Sequence, residues 1–158
     1  MLKKRILTIV ILLFSVMLYG QKKELHDINF IISVNDKVEV GAITNPRIIT
    51  YGSNDEKEIF EVDYYPGSLL LSDSIFDKLS SDKIKKMSFA LDYNVFTKDK
   101  QHIYNYELEI AVGMFNYRYV ILKIYDTVNG KRTSSKGKNY GYVVDIPGQS
   151  IVMDLEKD

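Results

Sequence analysis

Two glutamates, Glu107 and Glu109, alternate with Tyr104, Tyr106 and Leu108. On an extended strand, residues two apart share a face and sit roughly 7 Å apart. Glycosidases separate their acid and base by a comparable distance. Asp92 is a third carboxylate inside an alternating run. Hydrolysis by such a set requires a cleft and a carboxyl whose pKa is raised; without them, paired glutamates on a strand are a solvated face. A second constellation follows if the Gly113–Asn116 loop closes a regular hairpin. Val112 then faces Tyr117, Ile110 faces Tyr119, Leu108 faces Ile121, Tyr106 faces Lys123 and Tyr104 faces Tyr125. The far end of that hairpin gathers Tyr104, Tyr106, Lys123 and Tyr125. Three phenols around an ammonium could line a pocket for an anionic or hydroxyl-rich ligand. Alternatively the lysine runs its stem along the rings to water, and the tyrosines are half-buried packing residues.

Little else in the chain points to catalysis. His26 and His102 are the only histidines, and neither has a partner at metal-ligand spacing. His26 falls in the start of the mature chain and His102 follows a turn, so both are expected at the surface. There is no cysteine, which excludes disulfides, thiolate metal sites, a Cys nucleophile and a lipidated cysteine. No G-x-S-x-G, Walker or G-x-G-x-x-G pattern occurs. Asn54–Glu58 is acidic but lacks the alternating oxygens and central glycine of a calcium loop. No cofactor and no metal is expected.

Charge narrows the partners. The 158 residues carry 21 basic and 21 acidic groups. Residues 1–20 hold three of the basic groups and no acid, so the remainder carries 18 against 21, a net of −3. A mildly acidic chain has no bulk attraction for phosphate, which argues against nucleic acid or anionic lipid as partner. Lys131, Arg132, Lys136 and Lys138 cluster between Asn129 and Asn139, a loop suited to a solvated hairpin tip or to a polyanion.

Residues 1–20 have the pattern of a secretory signal peptide: Lys3, Lys4 and Arg5, an apolar run from Ile6 to Tyr19, then Gly20. A spanning helix needs about 20 apolar residues, so no integral span is expected after cleavage. The Gly20–Gln21 junction resembles the cut sites of exported bacterial proteins that mature to an N-terminal Gln. Residues 21–158 then form one domain, placed in the periplasm or outside the cell.

Period-two alternation runs through that domain. It marks strands at Ile28–Val34, Ile59–Tyr64, Ser68–Leu71, Met87–Val95, Tyr104–Val112, Tyr117–Tyr125, Val143–Ile146 and Ile151–Leu155. Pro66-Gly67 and Pro147-Gly148 are tight-turn signals. Asp73 can cap a short helix presenting Ile75, Phe76 and Leu79. The pattern predicts an all-β domain: an antiparallel β-sandwich or open barrel of about 8–10 strands with one short helix. A membrane barrel fits less well, because Tyr117–Tyr125 is apolar on both faces. The expected role is binding: a protein-interaction or accessory module for another exported or cell-envelope protein. The tyrosine pocket is the alternative, and a secreted hydrolase using the carboxylates comes third.

Overall fold

Asn29 divides one alternating run between two sheets. The computed structural model describes residues 25–38, 40–98, 100–126 and 139–155. In it β1 (Leu25–Ile28) pairs antiparallel with β7 (Ser68–Ser72), whereas β2 (Phe30–Val34) pairs in parallel with β10 (Val120–Asp126). Val62 makes a second division: β5 (Lys57–Glu61) lies against β4 (Ile43–Tyr51), and β6 (Asp63–Tyr65) against β7. Runs that look like single strands therefore feed two sheets each. With β3 (Lys37–Val38), β8 (Lys86–Phe96), β9 (Gln101–Ile110), β11 (Tyr140–Ile146) and β12 (Gln149–Met153), the described residues hold twelve strands, more than the eight to ten expected. They form a three-stranded sheet β1-β7-β6, a five-stranded sheet β12-β11-β10-β2-β3 and a four-stranded sheet β5-β4-β8-β9. The protein is thus mostly β, with one short helix.

Strand β4 is the element the alternation misses. Pro46 cannot donate to a ladder. The chain accommodates it with a register shift between Thr44 and Arg47 and a left-handed Asn45 at φ 50°. The helix α1 (Asp73–Leu79) forms where expected, but its cap is Ser72, whose hydroxyl accepts from the Ile75 amide at 3.4 Å. Both Pro-Gly turns form, with Gly67 and Gly148 at positive φ. No helix among the described residues is long and apolar enough to cross a membrane. The expected signal peptide and most of the basic 129–139 loop lie outside the described residues.

One core draws on every sheet. Phe30, Ile32, Leu69, Leu71, Ile48, Phe89, Leu91, Leu108, Leu122 and Val144 all belong to it. Burial at roughly 25 cal/mol per Å² of apolar surface makes this layer the main source of stability. Tyr140 and Tyr142 of β11 then stitch the five-stranded sheet to the free edge of β9. The Tyr140 hydroxyl donates to the Glu107 carbonyl oxygen at 2.9 Å and accepts from the Glu107 amide at 3.3 Å, and the Tyr142 hydroxyl donates to the Glu109 carbonyl oxygen at 2.9 Å. An open edge invites pairing with another chain; here these hydroxyls occupy part of it.

The expected hairpin between β9 and β10 does not form. β9 pairs with β8 over its whole length, while β10 pairs with β2 and β11. The connection explains this. Its single 3₁₀ turn, Met114–Asn116, buries Met114 and Phe115 in the core. The chain therefore crosses from one sheet to another instead of turning back within one.

Candidate functional site

The four residues expected to share a pocket are separated by this crossing. Tyr106 faces the core, 4% exposed, edge-to-face with Tyr140 at 4.9 Å, and Tyr104 packs against the same core from its partly buried position. Burial pushes the Tyr106 phenol above its ordinary pKa. Along β10, Leu122 and Ile124 face that core, so Lys123 and Tyr125 point to the other side of their sheet. There Tyr125 packs with Val143 and Leu155 and donates to the Asp36 carboxylate at 2.9 Å. The Lys123 ammonium sits 2.6 Å from Asp145, and that hydrogen bond raises the lysine pKa. Burial would raise the Asp145 carboxyl, but its hydrogen bonds from Lys123 and Ser150 hold it below the usual range. Tyr104 and Tyr106 lie on one layer, and Lys123 and Tyr125 on another.

Asp92 is placed as a fixed anion. Asp92 accepts from Asn45 and from Asn105, both at 2.7 Å, and from Arg47 at 3.5 Å. The Asn45 bond is the main reason its pKa is lowered, with Asn105 and the Arg47 charge reinforcing it. A carboxyl held ionised is a poor general acid. Glu109 pairs with Lys86 at 2.9 Å. Glu107 and Glu109 border a depression of about 260 Å³ with Lys86, Ser88 and Asp154, and no group of three or more His, Asp or Glu among the described residues could hold a metal. His26 is less free than its sequence position implied. Its ring stacks on Phe76 at 4.0 Å, and Nε2 lies 2.9 Å from Asp73. His102 is exposed on β9.

The exposed aromatic groups lie elsewhere: Tyr117 and Tyr119 on the connection before β10, Tyr65 at the end of β6 and Phe96 at the end of β8. Tyr117 and Tyr119 are 44% and 38% exposed and flank the exposed Arg118; Val112 and Tyr65 are exposed as well. Asn29 ties the end of this connection to the start of β2. Asn29 donates its side-chain amide to the Arg118 carbonyl oxygen at 3.1 Å and accepts from the Val120 amide at 2.9 Å. Next to it, Phe30 and Gly67 exchange two backbone bonds, which fixes the β6–β7 turn against β2. Beneath the tyrosines, Phe115 packs 6.2 Å from Phe30. The β11–β12 turn closes the end, and a shallow depression of about 350 Å³ runs between Tyr119, Asp145 and Gly148. Exposed tyrosines on a backbone this firmly anchored present rigid amphipathic area at little entropic cost.

The run Tyr117–Tyr125 predicts a strand through Tyr117 and Tyr119, but β10 begins only at Val120. Arg118 inside the run, and Gly113 at φ 79° before it, are the signals that the chain is still in a loop.

No known family model matches this chain, and neither the curated proteins nor the solved structures include a match to it.

Proposed function

We propose that the chain is an exported β-sandwich module that acts by binding another exported or cell-envelope protein through its tyrosine-bearing end. The observation that carries this reading is the exposure of Tyr117 and Tyr119 on either side of Arg118, on a connection tied down by Asn29 and by the buried Phe115. Tyr and Arg are the residues enriched where protein interfaces concentrate their energy. Export is supported by the basic and apolar stretch of residues 1–20, and cleavage before Gln21 would put the module in the periplasm or outside the cell. Ionised Asp92 and paired Glu109 speak for binding over hydrolysis.

The test is crosslinking in the native cell with a C-terminally tagged chain, comparing wild type with Tyr117→Ala/Tyr119→Ala. One dominant protein captured by wild type and lost by the double variant, at unchanged melting temperature, supports the reading. Each anchor tyrosine is worth about 2 kcal/mol, roughly 30-fold in Kd. A partner held equally by both proteins, or no partner at all, overturns it. Sequencing the N-terminus of the captured protein checks the Gln21 start in the same experiment.

A further inference from the structure

Strand β5 is an edge of the four-stranded sheet: it pairs with β4, and no strand among the described residues lies on its other side. Antiparallel ladders bond through alternate residues. The bonds from the Gly52 amide to the Glu56 carbonyl oxygen at 2.9 Å and from the Val62 amide to the Pro46 carbonyl oxygen at 3.2 Å set the phase. Even-numbered residues of β5 therefore bond to β4, and the N–H and C=O groups of Lys57, Ile59 and Glu61 point out along the open edge. The side chains of these three share one face of the strand and are exposed, Ile59 by 54%. A row of open backbone groups beside an exposed isoleucine is a template for another strand.

The charges on this edge select the strand that fits it. A lysine on an edge ordinarily blocks pairing, but here the charges are self-complementary. In the antiparallel register that sets Ile59 of one copy against Ile59 of a second, Lys57 falls opposite Glu61 and Glu61 opposite Lys57. The same register joins odd-numbered residues to odd-numbered residues, so each of these pairs exchanges two backbone bonds through the groups that β4 leaves open. A slip of two residues keeps that phase but sets Ile59 against Lys57 or Glu61. On the other face Glu58 falls opposite the second copy's Phe60, and in each copy the Lys78 ammonium lies 5.4 Å from the Phe60 ring. We propose that β5 is the contact of a two-fold symmetric dimer of this chain, which joins two four-stranded sheets edge to edge. Glu61 then lies between Arg47 of its own sheet and Lys57 of the second copy.

Sedimentation velocity of the purified protein from about 5 to 500 µM spans the weak affinity of a contact this small. Wild type is expected to pass from monomer to dimer over that range. Hydrogen exchange should slow with concentration at the Lys57, Ile59 and Glu61 amides and stay unchanged at Glu58 and Phe60, which already bond to β4. Lys57→Glu and Glu61→Lys should each weaken the dimer by about 10- to 100-fold, since like charges replace both ion pairs. Mixed in equal amounts, the two variants should associate with each other as wild type does, because each supplies the charge the other lacks. Glu61→Lys also brings a cation beside Arg47 in its own sheet, whereas Lys57→Glu lies opposite Tyr51, so the second variant stands if the first melts early. A monomer at every concentration, single variants that dimerise as wild type does, a folded mixture that stays monomeric, or a dimer lost in Tyr117→Ala/Tyr119→Ala overturns the proposal.

Discussion

Replacing Gly141 with Ala should unseat Leu155. Gly141 pairs with Tyr125 in the five-stranded sheet, and a Cβ built on it would lie 2.5 Å from Leu155 Cγ and 2.6 Å from the Asp154 carbonyl oxygen. The side chain can swing away, but the backbone oxygen cannot without shifting the segment after β12. Leu155 is 5% exposed and closes a small cluster with Tyr125 and Val143. Expelling a buried leucine costs about 1.5–3 kcal/mol. Alanine recovers about 0.5–1 kcal/mol of the strand penalty that glycine carries. The net is a destabilisation of about 1–2 kcal/mol, which lowers the melting temperature by roughly 3–10 °C in a domain of this size. Thermal unfolding followed by circular dichroism measures it. Gly52→Ala is the control: its nearest neighbour would be Glu56 at 3.8 Å, an ordinary contact, so no loss is expected. In a Leu155→Ala background the Gly141→Ala penalty should shrink, leaving only the backbone contact. A Gly141→Ala protein that melts at or above the wild-type temperature refutes the packing of the 154–155 segment over β11.

Two further perturbations probe the polar fasteners. Tyr142→Phe removes the hydroxyl that donates to the Glu109 carbonyl oxygen from a ring only 3% exposed; the urea midpoint should fall by about 1–2 kcal/mol of stability at constant m, and an unchanged midpoint would mean that the β9 edge is held by packing alone. Asp92→Asn tests the anion at the centre of the Asn45–Arg47–Asn105 network. Because its folded pKa lies below the unfolded value, the ionised form adds stability above the ordinary aspartate range, and that stability disappears as pH falls through the folded pKa. The deficit of the variant should therefore be constant near neutrality and shrink below about pH 4; a deficit that grows on acidification would show that the charge of Asp92 is not what stabilises the sheet.

Half-buried strands are legible in the sequence because they impose a period of two, and β9 follows it, with Tyr106, Leu108 and Ile110 buried between exposed Asn105, Glu107 and Glu109; β7, β8 and β11 are buried through runs of successive residues. What the period does not carry is partnership. Ile28–Val34 alternates without interruption, yet Asn29 hands the chain from a sheet shared with β7 to one shared with β10. Nothing in the alternation marks the transfer, since both sheets bury the same side of the run against one core. β4 is hidden for the opposite reason: Pro46 and the bulge at Thr44–Arg47 break the period where the strand continues. Local pattern reports burial, whereas sheet membership is decided by contacts far apart in sequence.

The same limit explains the candidate site. Tyr104, Tyr106, Lys123 and Tyr125 share a face only if β9 turns directly into β10, and two apolar residues in the connection decide that it does not. Met114 and Phe115 gain more by entering the core, 1% and 5% exposed, than by standing at a hairpin tip in water. Their burial drives the connection across the core, and with that crossing the predicted pocket divides into a core cluster and a surface ion pair. It also leaves Tyr117 and Tyr119 on the far side of the anchor with their rings in solvent. The tyrosines that the proposed partner would meet are therefore Tyr117 and Tyr119, whereas Tyr140 and Tyr142 of β11 fasten their sheet to β9. Trp or Phe substituted at Tyr117 should keep the partner, while Ala at Phe115 should lose it together with stability, because only the second removes the foundation on which the exposed rings stand.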